Sequence, residues 1–152
     1  CGEWEKPLSD NFKIIHRKTW DLSAPKISDD LLPFYLAGFI DGDGSYVCCK
    51  HRLHISAVGA VGDIMEEIRK LSTKFSPMRH WSNEPKVFNY FENNHKIQIA
   101  GVVAVKMAHY LMSLPCPHLR RKYNKVRQFL IDFPHHGLSL PPYDEHLASL
   151  AI

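Results

Sequence analysis

"PFYLAGFIDGDGSY", residues 33–46, is the stretch on which the reading of this chain turns. Leu36, Phe39 and Ile40 give it an apolar surface at helical spacing, and two aspartates then arrive, each followed by glycine. The spacing predicts a helix from about Leu31 to Gly42. Asp29 or Asp30 is available as its N-terminal cap, and Pro33 is tolerated in a first turn whose amides lack helical partners. A helix ends in uncovered carbonyls and partial negative charge, so lysine or glycine belongs there and a carboxylate does not. The placement of Asp43 between Gly42 and Gly44 therefore asks for an explanation.

Outward from that stretch, the rest of the chain reads as one domain. The chain has 152 residues, and 45% of them are apolar, enough for one packed core. No apolar run approaches the roughly 18–20 residues of a membrane span, and "CGEWEKPLSDNF" (1–12) lacks the apolar centre of a secretory signal. The four cysteines form no C-x-x-C pair and no disulfide framework. The expectation is an intracellular protein without a membrane partner, in cytoplasm or nucleoid, or in an organelle of a eukaryote.

A strand pair is expected at Ser45–Arg52 and Leu53–Val58, with an undefined join around His51. A helix begins at Asp63, with Ile64, Ile68, Leu71 and Phe75 at helical spacing. Strand pieces follow near Met78–Ser82, Val87–Phe91 and Lys96–Ile99. Two helices close the pattern, one opened by Gly101 and one over Leu119–Asp132. The order αββαββαα, with hairpins and helices segregated, is that of an α+β domain. Residues 1–28 read as an N-terminal arm, 29–133 as the domain and 134–152 as a tail packed on it, with one short docking helix in "YDEHLASLAI". The stripe Val102, Val105, Ala108, Tyr110 and Leu111 reads as core.

Nineteen Lys+Arg against sixteen Asp+Glu is a small excess, but it is clustered. "LRRKYNKVR" (119–127) carries five cations and no acid, and "KIIHRK" and "KHRLH" are also basic. One such cluster is an ordinary solvated face; three with interleaved aromatics suit a nucleic acid. The strands carry Tyr46, Lys50, Arg52, His54, Arg79, Trp81, Asn89 and Gln98, side chains of the kind that reach phosphates and base edges, and Arg120 and Arg121 join them. The set Cys48, Cys49, His51, His54, Cys116 and His118 lacks the spacing of a zinc finger or ribbon. His135 and His136 fall in a loop after Pro134.

Hard divalent ions take carboxylate, carbonyl and phosphate oxygens. Asp43 with the Gly42 carbonyl thus reads as half of a Mg²⁺ site that a phosphodiester completes, and Mn²⁺ or Ca²⁺ fits the same donors. "DGDG" alone reads better as a plain turn.

The whole of "LAGFIDGDG" (36–44) closely resembles the motif of the LAGLIDADG homing endonucleases. The match runs through Leu36, Ala37, Gly38, Ile40, Asp41, Asp43 and Gly44, with Phe39 and Gly42 as tolerated variants. The resemblance implies an αββαββα domain with a saddle-shaped antiparallel sheet. It implies a site-specific double-strand DNA endonuclease, often intron-encoded, that uses divalent metal at a long target. Asp43 is then the metal ligand and a catalytic residue, Gly42 lends its carbonyl, and Lys122 is the basic catalytic residue that positions water or stabilises charge. Ala37 and Gly38 fall at the packing of two motif helices; Asp41 caps or orients the turn and is placed at the same interface in a minor role. One motif implies a homodimer on a near-palindromic site, with the saddles in the major groove. One departure stands out: the end of the second strand, "SAVGAVGD", lacks the glutamine that often orients water, and offers only Ser56 and Asp63. The competing reading is a domain of this fold without cleavage, an RNA splicing maturase or a DNA-binding regulator. An intein, prompted by Cys1, is disfavoured by "SLAI" at the other end.

Overall fold

The computed structural model describes residues 24–76, 84–90, 94–135 and 137–140. The expected arm up to residue 23, the strand at Met78–Ser82 with Arg79 and Trp81, and the helix in "YDEHLASLAI" lie outside those residues. Within them the chain is α+β, with four helices and one four-stranded antiparallel sheet. In chain order these are α1 (Leu32–Asp43), β1 (Gly44–Cys49), β2 (Arg52–Gly59), α2 (Gly62–Thr73), β3 (Phe88–Tyr90), β4 (Asn94–Ala100), α3 (Gly101–Met112) and α4 (Arg120–Asp132). The sheet order is β1-β2-β4-β3.

Each helix of α1–α4 packs on the same face of the sheet. That face is built from Tyr46, Leu53, Ile55, Ala57, Ile97 and Ile99, all buried. α3 lies at the centre with Val103, Ala104, Val105, Met107, Ala108, Leu111 and Met112 buried. Val102, expected in that core stripe, is exposed on the first turn of α3. α3 follows β4 with no loop, and Gly101 makes this possible by taking φ +71°, a backbone that side chains rarely adopt. α2 is amphipathic, with Ile64, Met65, Ile68 and Leu71 inward, and carries ion pairs from Arg69 to Glu66 and Glu84 on its outer side.

α1 starts without the expected aspartate cap. Its N-cap is Leu31, and the chain enters through a backbone turn in which the Ser28 carbonyl accepts from the amides of Leu31 and Leu32, each at 3.0 Å. Asp30 instead pairs with the Ser28 side chain. α1 buries Leu36, Ala37, Ile40 and Asp41, while Gly38 and Gly42 remain on its exposed side.

The join between β1 and β2 is a two-residue turn, Lys50–His51, closed by the pair Cys49↔Arg52. Lys50 supplies the positive φ such turns need, at 53°, without being glycine. The turn fixes which side chains share a face. Val47 pairs with His54, and Tyr46 with Ile55.

Candidate metal and nucleic-acid site

The end of α1 and the start of α4 meet, and each covers the other's uncapped backbone. Lys122, in the first turn of α4, is only 6% exposed. Its ammonium donates to the carbonyls of Ile40 at 2.8 Å, Gly44 at 2.6 Å, and Asp41. Three donors meet three acceptors, so the group is fully used. Burial pulls the Lys122 pKa below that of an ordinary lysine; Asp41 opposes this, Arg121 adds to it and Asp43 opposes it.

Asp41 returns the arrangement. Its carboxylate, 6% exposed, accepts the Leu119 amide at 3.1 Å through Oδ2 and so caps the N-terminus of α4. His118 Nδ1 stands 3.6 Å from the same oxygen. His118 Nε2 donates to the Leu114 carbonyl at 3.1 Å, and Cys116 Sγ is 3.8 Å from that nitrogen. The His118 ring stacks on Tyr123, with 5.8 Å between centroids. Two buried oxygens nearby, Asp41 Oδ1 and the Tyr46 hydroxyl, have no hydrogen-bond partner among the described residues. Burial first, and the Asp41 charge second, push the Tyr46 hydroxyl pKa upward.

Gly44 joins α1 to β1 at close quarters. A Cβ there would lie 2.7 Å from the Ile40 carbonyl oxygen and 2.9 Å from Ile40 Cα, so only glycine fits. Its backbone is otherwise ordinary and extended, and its amide donates to Ile40 O.

The negative helix end therefore receives a cation from within the chain, and Asp41 serves the positive end of α4. Asp43 is the carboxylate of the motif that the fold does not use. It is exposed, with no side-chain hydrogen bond or ion pair to any described residue. Gly42 is also exposed, and its carbonyl is not among those Lys122 takes. Among the described residues no three His, Cys, Asp or Glu side chains converge as a metal cage. Asp43 and one carbonyl are two oxygen donors, and a hard cation held there takes its remaining oxygens from water or phosphate.

Several expected placements change. Ala37 is 3% exposed and belongs to its own core, so it offers nothing to a second helix, whereas Gly38 is exposed. Asp41 is buried against its own α4 and does not reach an outer surface of α1. Tyr46, expected to contact DNA, is 2% exposed on the helix side of the sheet. Asn89 pairs with His95 and shares the helix-side parity of Ile97, at the exposed sheet edge.

The opposite face of the sheet is uncovered by any described helix. Register puts Ser45, Val47 and Cys49 of β1 there, with Arg52, His54, Ser56 and Val58 of β2. Lys96, Gln98 and Ala100 of β4 and Phe88 and Tyr90 of β3 complete it. None of these is buried, and no acidic residue lies among them. Lys50 is exposed at the hairpin tip, and Arg120 and Arg121 are exposed at the start of α4. Lys96 was not anticipated; its ammonium sits 4.8 Å from the centroid of the Tyr90 ring. Alternation from Gln98, two residues away, is the signal that points to it. Of the cysteine and histidine set, Cys116 and His118 meet, while Cys49 and His54 lie on the open sheet face.

No model of a known protein family matches the chain, and no curated protein matches it. Among the described residues, no helix is long and apolar enough to cross a membrane.

Proposed function

We propose that this chain is a divalent-metal-dependent, site-specific DNA endonuclease of the LAGLIDADG type, with the homing-endonuclease fold, acting as a homodimer. The observation that carries the proposal is the state of Asp43. The two buried charges at the junction of α1 and α4, Asp41 and Lys122, have partners within the protein, whereas the carboxylate of Asp43 is exposed, next in sequence to an exposed Gly42. Asp43 and Gly42 would hold Mg²⁺ together with a scissile phosphate. The metal, when bound, supplies charge stabilisation to the attacking and leaving oxygens at phosphorus. The chain's own contribution is to hold that carboxylate free of internal partners and to offer a sheet face whose formal charges are all positive.

That face supports DNA as the partner. Arg52, Lys96, His54 and Gln98 stand on it in adjacent strands, with phosphate- and base-edge donors and no carboxylate to repel a polyanion. A two-stranded β-ribbon or curved sheet is of a size to enter a major groove.

A cleavage-deficient binding module is the second reading, and one observation favours it. Lys122 is engaged by three carbonyls, and the end of β2 holds no glutamine, so no water-orienting side chain of the usual kind stands at the site.

The test is incubation of the purified protein with a library of duplexes, with and without Mg²⁺. Wild type is expected to cut a defined sequence only with Mg²⁺. Asp43→Asn is expected to lose cutting by about a hundredfold or more while retaining that duplex. Binding without cutting by wild type selects the second reading, and loss of folding in Asp43→Asn would mean the aspartate is structural.

A further inference from the structure

The reciprocal caps between α1 and α4 have a directional property. Lys122 holds the carbonyls of residues 40, 41 and 44, which flank Asp43 on both sides but do not include it. Asp41 holds the amide of Leu119, three residues before Lys122. Each helix therefore fixes the other's terminus, and the backbone segment between the fixed carbonyls carries Asp43. Gly44 tightens the segment further, because it packs where no Cβ fits.

We propose that Lys122 and Asp41 are positioning residues, a two-way clamp that sets the place of Asp43, and that Lys122 does not act on water or on the reacting phosphate. A lysine that acted on solvent would need a free donor and access, and this ammonium has neither. Without it, three carbonyls at a negative helix end lose their cation, and the turn at residues 42–44 is free to fray. Without the Asp41 oxygen, the amide end of α4 loses its acceptor and Lys122 loses the helix that aims it. The part of this inference that concerns metal rests on the nuclease reading; the clamp itself does not.

Two readouts test it on the full chain. The first is amide hydrogen exchange at residues 42–45 and 119–122. Lys122→Met is expected to speed exchange at 42–45 by about tenfold or more, as loss of a cap does. Asp41→Ala is expected to do the same at 119–122. Asp41→Asn, which keeps an amide oxygen for Leu119, is expected to restore protection. The second readout is Mn²⁺ affinity, by electron paramagnetic resonance, in complex with the duplex recovered from the library. Lys122→Met is expected to weaken it by about tenfold or more, with the pH profile of cutting at saturating Mn²⁺ unchanged. Wild-type exchange and Mn²⁺ affinity in Lys122→Met, with cutting lost or its pH profile altered, would overturn the proposal and make Lys122 a chemical participant. If wild type itself holds no Mn²⁺ on any duplex, the nuclease reading fails and the exchange data alone decide the clamp. If Lys122→Met does not fold, the Asp41→Asn and Asp41→Ala pair decides it, equal exchange in both refuting it.

Discussion

A phenol buried beside a carboxylate has to keep its proton. Tyr46 is held neutral by its surroundings in the folded chain, whereas in the unfolded chain it ionises near the ordinary value of 10.0. The folded value is the higher one, so the native state binds the proton more tightly. The associated stability is complete below pH 10 and is lost progressively as pH rises above it. Tyr46→Phe is expected to abolish that part of the alkaline loss, as followed by circular dichroism across pH 8–11. At neutral pH it is expected to be neutral or stabilising by up to about 1 kcal/mol, because it removes a hydroxyl with no partner. Duplex affinity is expected to be unchanged; a weakened complex would return Tyr46 to the DNA face. The misplacement of Tyr46 at the sequence level has a simple origin. It is even-numbered like Arg52 and His54, and without the turn length the even residues look co-facial. A two-residue turn makes 46 oppose 55 and 47 oppose 54, so parity inverts between the strands.

At the scale of elements, what was legible came from periodicity. α2 and α3 were visible as apolar stripes, and the strand expected at Leu53–Val58 is β2, Arg52–Gly59. The boundaries were not legible where backbone, not side chain, makes the structure: the Ser28 turn into α1, and the Lys50 turn without glycine. The hairpin turn can be tested directly. Lys50→Gly removes a side chain from a left-handed backbone and is expected to stabilise the fold by about 0.5–1 kcal/mol in urea unfolding. The same substitution removes a cation from the tip. If that cation meets a phosphate, the slope of log affinity against log salt is expected to fall by about 1. Stability and affinity then move in opposite directions. A loss of both would mean that the Lys50 side chain supports the hairpin itself.

At the scale of the whole molecule, the candidate site was only half visible in the sequence. Asp43, Gly42 and Gly38 stand out as candidates in the sequence because they lie in one short motif. The partners of Asp41 do not, because Leu119 and His118 are distant in sequence and nothing in local spacing links them. The proposed dimer depends on Gly38, which is exposed, and a Cβ there meets nothing within 4 Å of its own chain. Gly38→Leu is therefore expected to fold at least as stably as wild type, with a gain of up to about 1 kcal/mol in helix propensity. It is also expected to sediment as a monomer where wild type sediments as a dimer. An unchanged dimer by ultracentrifugation would remove the exposed side of α1 from the interface.

The hydrogen bond from Leu119 to Asp41 spans 78 residues, and that from Lys122 to Ile40 spans 82. On the ribosome α1 is thus made well before the residues that hold its end. At ordinary rates of synthesis the interval is roughly 4–15 s, long against the sub-microsecond to microsecond formation of a helix. The segment bearing Asp43 must await its closing partner, so any metal-binding competence arises late in biogenesis. A nascent or prematurely terminated chain would carry the motif without the geometry to use it.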